Sequence, residues 1–140
     1  MAALLFVGNI TTDADAFFLQ RLFSAYGSVV DVQIVRNPLH ATVALRHCDD
    51  ADCAIAALHL RYYVAPNAAV LVMYHKGSPQ VSAYGRRVSA AYREAVADGK
   101  YPLPVALESF DSSYERGEVR APPDEIKAPA LVFPMPSMLY

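Results

Sequence analysis

Leu4-Leu5-Phe6-Val7-Gly8-Asn9 is a short apolar, β-prone run that stops at a Gly-Asn pair, so it reads as a strand. Thr12, Asp13 and Asp15 follow, supplying the capping oxygens and negative charge that a helix N-terminus favours. Phe18, Leu19, Leu22, Phe23 and Tyr26 then recur at helical spacing, with Gly27 placed to close the helix. Val30, Val32 and Ile34 alternate with Asp31 and Gln33, which is strand periodicity. Arg36-Asn37-Pro38-Leu39 reads as a tight turn, after which Ala41, Val43 and Leu45 alternate again. Asp49, Asp50 and Asp52 open a second helix carrying Ala54, Ile55, Ala57 and Leu58, and the three carboxylates read as capping and dipole-complementary groups. Pro66-Asn67 marks a turn, and Val70-Leu71-Val72-Met73-Tyr74 a last strand. The order is β-α-β-β-α-β, an α+β, ferredoxin-like split βαβ fold.

Beyond that unit the chain changes character. Residues 1–77 contain only Pro38 and Pro66, and the other eight of ten prolines lie after them. Three segments are expected: a compact domain over 1–77, an extra amphipathic helix within 78–100, and a Pro-rich tail over 101–140. Val81, Tyr84, Val88, Ala91, Tyr92, Ala95 and Val96 form one helical stripe, with Arg86, Arg87, Arg93 and Glu94 largely elsewhere. Gly85 inside this helix costs about 1 kcal/mol relative to Ala, which fits a helix held by docking on or beside the sheet. The tail keeps spaced apolar anchors: Tyr101, Phe110, Tyr114, Val132, Phe133, Met135, Met138 and Leu139. Ala130-Leu131-Val132-Phe133-Pro134-Met135 would wrap the same domain as an extended strand or dock onto a partner.

Composition narrows the function. The 140 residues are 54% hydrophobic, enough to fill a core, and carry 12 basic against 14 acidic groups for a net charge of −2. Binding nucleic acid mainly by phosphate neutralisation calls for the opposite balance. No apolar run approaches membrane-spanning length and no basic region with a cleavage site follows Met1, so neither secretion nor membrane insertion is expected. His47, Cys48, Cys53 and His59 are residue types that ligate zinc, but their spacing across a helix start fits small buried thiols and exposed imidazoles better, and no metal or cofactor is expected. Ser24, Ser28 and Ser78 lack an adjacent base and no Gly-rich phosphate loop is present, so the chain reads as a non-enzyme.

Period two assigns the sheet faces. Leu5, Val7, Val32, Ile34, Ala41, Val43, Leu45, Val70, Val72 and Tyr74 should point into the core. Phe6, Gln33, Val35, His40, Thr42, Ala44, Leu71, Met73 and His75 should line the opposite, open face. That face is greasy, and such a patch seldom stays bare.

Leu5-Phe6-Val7-Gly8-Asn9-Ile10 resembles the RNP2 motif of the RNA recognition motif (RRM) family. The segment from Leu22 to Ile34 is similar to the family's helix-to-second-strand stretch, and Asp49 to Leu58 to its second helix. The resemblance covers residues 3–77 in register and implies RNA binding through the open face. The departure lies in the third strand, where the family's RNP1 motif carries a basic residue, a glycine and two base-stacking aromatics. Here His40 and Thr42 stand at the aromatic positions, so Phe6, His40 and Thr42 are the candidate RNA-binding residues. Each lost stacking platform removes about 1–3 kcal/mol, which disfavours autonomous high-affinity RNA reading.

The short loop before the third strand, the weak RNP1, the strand ending in Tyr74 and the helix from Arg87 to Tyr101 together resemble the small branch-site RRM subunit of splicing factor 3b, within the U2 snRNP. That resemblance implies a nuclear spliceosomal subunit whose sheet and C-terminal helix hold a peptide of the large helical-repeat subunit. It also implies that pre-mRNA branch-site RNA is touched through one small aromatic pocket. Carried over, Phe6 would be the aromatic of that pocket, while Val35, Leu71, Met73 and His75 of the open face and Tyr84, Val88 and Tyr92 of the helical stripe would bind the partner. Two other readings stay open: a general single-stranded RNA-binding RRM of mRNA metabolism, and a purely protein-binding RRM.

Overall fold

The computed structural model describes residues 2–36, 39–65, 68–100, 102–107 and 139–140. The expected turns at Asn37-Pro38 and Pro66-Asn67, and the tail anchors Tyr101, Phe110, Tyr114, Leu131 to Met135 and Met138, lie outside the described residues.

The elements run β1 (Ala3–Gly8), α1 (Ala16–Ser24), β2 (Val29–Val35), β3 (His40–Leu45), α2 (Cys48–Leu58), β4 (Tyr63–Ala65), β5 (Ala68–Ala69), β6 (Leu71–Tyr74) and α3 (Ala83–Ala97). Four strands form one antiparallel sheet in the order β2-β3-β1-β6, while β4 and β5 pair as a separate small ribbon. The fold is the α+β, ferredoxin-like split βαβ arrangement, with β1 central and β6 at one edge. Leu5, Val7, Ala41, Val43, Leu45, Val70, Val72 and Tyr74 are buried, and Val32 and Ile34 pack partly buried against them. From α1 the core takes Leu19 and Phe23, and from α2 Ala51, Ala54, Ile55 and Leu58.

Three local readings change. In β2 the register shifts between Val29 and Asp31, so Val29 pairs with Leu45 and Val30 turns out to solvent. A bulge inserts one residue and flips the alternation, which a run of valines does not reveal. Helix α1 starts later than Thr12: Asp15 is its N-cap, accepting the Phe18 N–H at 2.8 Å. The same helix ends with Ala25 in a right-handed conformation, so Gly27 does not close it.

The third change concerns α2. Asp49 and Asp50 occupy its first turn as expected, but Asp52 does not act as a capping group. Its Oδ1 accepts the Tyr74 hydroxyl at 2.8 Å and the Ser82 hydroxyl at 2.7 Å. Ser82 is in turn the N-cap of α3, accepting the Gly85 N–H at 2.9 Å. One buried carboxylate thus ties the second helix, the last strand and the third helix together. Burial raises the Asp52 carboxyl above its ordinary range, against the opposing pull of these two hydrogen bonds.

Helix α3 buries Tyr84, Gly85, Val88, Ser89 and Tyr92 and leaves Arg86, Arg87, Arg93 and Glu94 in solvent. It lies against β6 and α2. Tyr92 meets the His59 ring edge-on at 6.4 Å, and the Tyr84 hydroxyl donates to the Val105 carbonyl.

Candidate nucleic-acid interface

Strand register lays out the open face in three rows. Phe6 sits opposite both Thr42 and Met73, and Thr42 in turn opposite Gln33. Gly8 is opposite Leu71, and Val35 is opposite His40. Leu4 and Asp31 flank Ala44 in the third row. The residues that the alternation assigns to this face therefore do share it. Their exposure is uneven.

Phe6 is 3% exposed and its ring stacks on His40, with centroids 5.4 Å apart and planes at 27°. His40 is itself 2% exposed. The Phe6 ring leans along its own strand over Gly8, where a Cβ would stand 2.7 Å from Phe6 Cε1. Gly8 thus lets the ring lie close to the backbone instead of standing up from the sheet as a stacking platform. Leu71 and Met73 are buried as well. On the β2 side Gln33 and Val35 are exposed, while Thr42 and Ala44 are half-covered. The face is closed at its centre and its β6 side, and open toward β2.

The candidate residues divide accordingly. Val35, Thr42 and His75 are accessible to a partner or a base; Phe6, His40, Leu71, Met73, Tyr84, Val88 and Tyr92 are not. For Leu71, Met73, Tyr84, Val88 and Tyr92 this corrects the expectation of a partner-binding surface, because all five pack in the chain's own core cluster. Phe6 and His40, two of the three candidate RNA-binding residues, are buried against each other and present no free ring edge or face to a base. Apolar surface that the chain can bury against itself does not stay available for a partner.

The open half carries little charge to hold phosphate. Gln33 Nε2 donates to the Asp31 carboxylate at 3.1 Å, so an anion stands on this half of the face. None of the open-face positions carries Lys or Arg; Arg36 and Lys76 follow β2 and β6 outside it. His75 Nδ1 accepts the Gly77 N–H at 2.9 Å. Partial burial lowers the His75 imidazole below its ordinary value, with Lys76 and His40 adding to the effect, so it adds no stable cation.

One residue outside the alternation, His59, closes part of the β6 edge. His59, expected as an exposed imidazole, is buried at the end of α2, and its Nδ1 accepts the Val72 N–H at 3.0 Å. Burial, with Arg61 nearby, lowers its pKa to about 3, which keeps the ring neutral and Nδ1 free of a proton. Beside it, His75 pairs with Leu139 as an antiparallel bridge and the Tyr140 N–H donates to the Tyr74 carbonyl at 3.1 Å. The only sequence signal for His59 was a histidine next to an apolar helix end. Among the described residues no three His, Cys, Asp or Glu side chains converge as a metal site, and no helix is long and apolar enough to cross a membrane.

Comparison with known proteins bears on the family. The family model for the RNA recognition motif matches residues 5–63. The crystal structure of the RRM domain of S. pombe Puf1 is 30% identical, covers 58% of this chain and 98% of its own length, and superposes with a TM-score of 0.51. The crystal structure of RNA binding protein PG1 is 20% identical over 56% of this chain and 99% of its own, with a TM-score of 0.49. No curated protein matches the chain significantly. RRM domains are in general non-catalytic RNA-binding modules. With the β2-β3-β1-β6 sheet, an RNP2-like β1 and a Puf1 RRM that aligns over nearly its whole length, the chain belongs to the RNA recognition motif family.

Proposed function

We propose that this RRM works as a protein-bound subunit of a ribonucleoprotein and contributes little RNA affinity by itself. The observation that carries this reading is Phe6, 3% exposed and stacked on His40 at the centre of a face whose RNP1 aromatics are missing. Base stacking contributes about 1–3 kcal/mol per ring, and none of the described open-face positions presents an exposed aromatic ring to supply it. The uncovered strip of Asp31, Gln33, Val35 and Thr42 offers hydrogen bonds and one apolar contact, without a cation.

In its finer form the reading is a nuclear, non-catalytic spliceosomal subunit of the U2 snRNP. Its partner would be a peptide of the large helical-repeat subunit of splicing factor 3b, and pre-mRNA branch-site RNA would be contacted beside Phe6. The weak RNP1 strand, the closed centre of the face and the helix that follows β6 support it. With Leu71 and Met73 in the core, the peptide would meet the Val35 and Thr42 side of the face.

Titration of the full chain with short single-stranded RNAs, branch-site sequence included, tests the general reading. Binding no tighter than the roughly micromolar range of non-specific contacts is expected. Nanomolar affinity of the isolated chain overturns it. Calorimetry against peptides of the helical-repeat subunit tests the finer form, which fails if none binds or if Val35→Asp leaves binding unchanged.

A further inference from the structure

An edge strand exposes a row of backbone donors and acceptors that folded proteins must cover or pair. On the outer edge of β6 the Val72 N–H is taken by His59 and the Tyr74 carbonyl by Tyr140. The second of these partners comes from more than sixty residues away in sequence.

The seating of this dipeptide is specific. Leu139 is 4% exposed and packs in the core cluster. Its carbonyl accepts from Arg93 Nη2 at 2.9 Å, and the Arg86 guanidinium lies over the Tyr140 ring at 5.7 Å from its centroid. Arg86 and Arg93 are two turns apart on α3, so they clamp one extended segment against β6 from the helix side. The walls are held without the dipeptide's help, because Asp52 ties β6 to the N-cap of α3 and Tyr74 packs against Gly85.

We propose that the groove between β6 and α3 is a strand-addition site for an extended peptide carrying an aliphatic residue followed by an aromatic one, and that Leu139-Tyr140 fills it in cis. The occupant in trans is a partner segment of that chemistry. Backbone pairing supplies affinity, while the Leu pocket and the cation over the aromatic ring supply selectivity. His59 closes the groove at Val72 and the Lys76-Gly77 turn closes the other end, so the motif read is short. A ligand on the same chain binds in an intramolecular step, so the unaltered chain blocks its own site. This proposal concerns the sheet edge and does not rest on what the open face contacts.

The test uses Leu139→Asp in the full chain, with a fluorescein-labelled peptide of residues 130–140 as probe. Anisotropy should show saturable binding at least tenfold tighter than to the unaltered chain. Adding Arg93→Ala should weaken it, and a probe carrying Leu139→Asp should not bind. A chain ending at residue 138 serves as the second variant should the aspartate disturb folding. Equal binding by variant and unaltered chain, or equal binding of the two probes, overturns the proposal. Sedimentation showing that the unaltered chain dimerises and Leu139→Asp does not would place a second copy's dipeptide in the groove and overturn cis filling.

Discussion

Gly85 and the Tyr74 ring compete for one space: a Cβ at position 85 would overlap Cδ2 and Cε2 of Tyr74. A glycine that weakens α3 as a helix is what allows α3 to seat on β6. The ring cannot swing away freely, because its hydroxyl is held by Asp52.

Gly85→Ala should therefore destabilise the protein. Alanine gains about 1 kcal/mol in helix propensity, whereas overpacking a closed contact costs about 1–3 kcal/mol. A net loss of about 1–2 kcal/mol in urea unfolding is expected. A gain in stability would show that α3 does not rest on Tyr74.

Asp52→Ala removes the acceptor shared by Tyr74 and Ser82 and should cost about 1–3 kcal/mol. Asp52→Asn keeps an acceptor oxygen and should cost less. Amide exchange at Gly85 and Arg86 should quicken in the alanine variant, since the α3 N-cap loses its support. Because burial raises the Asp52 pKa, the native state holds this proton at higher pH than the unfolded chain does. Acidification through that range therefore stabilises at this site.

His59 has the opposite sign. Its pKa falls from 6.5 unfolded to about 3 folded, so the unfolded chain takes up the proton first as pH drops. The stability it contributes is present above pH 6.5 and is lost progressively toward pH 3. His59→Asn keeps an acceptor for the Val72 N–H and removes the titration. Melting temperatures compared from pH 7 to pH 4 should converge on the variant's side as pH falls. His59→Phe should lose about 1–3 kcal/mol already at pH 7, from an orphaned N–H.

Thr42→Tyr restores a ring on the accessible half of the face, next to Phe6 and Gln33. If missing platforms limit RNA affinity, this variant should gain about 1–3 kcal/mol for short single-stranded RNA, roughly 5- to 150-fold. Phe6→Ala should instead register in stability, with a loss of about 3–5 kcal/mol as for other buried aromatics.

Much of this architecture was legible in the amino-acid order. Leu5 and Val7, Ala41 and Val43, Val70 and Val72 repeat every second residue, and Leu19 and Phe23 every fourth. Backbone geometry alone turns those periods into faces. The split βαβ order and the row containing Phe6, Thr42 and Met73 follow from them. Val30 escaped because a bulge is set by pairing with β3, not by the composition of β2.

Which of those faces is covered, and which polar atoms meet, came from the folded chain. Periodicity is a property of neighbours, while Asp52 reaches Tyr74 and Ser82 across 22 and 30 residues and Asn9 reaches Ala69 across 60. Phe6 reads as an RNP2 aromatic from its neighbours, yet its ring lies down over Gly8 and against His40, a strand away. His59 looks like a surface imidazole until α2 and β6 close around it and leave the Val72 N–H no other partner. Alternation along a strand can say which side a residue faces; only packing between distant segments decides whether that side meets water, a nucleotide or the rest of the protein.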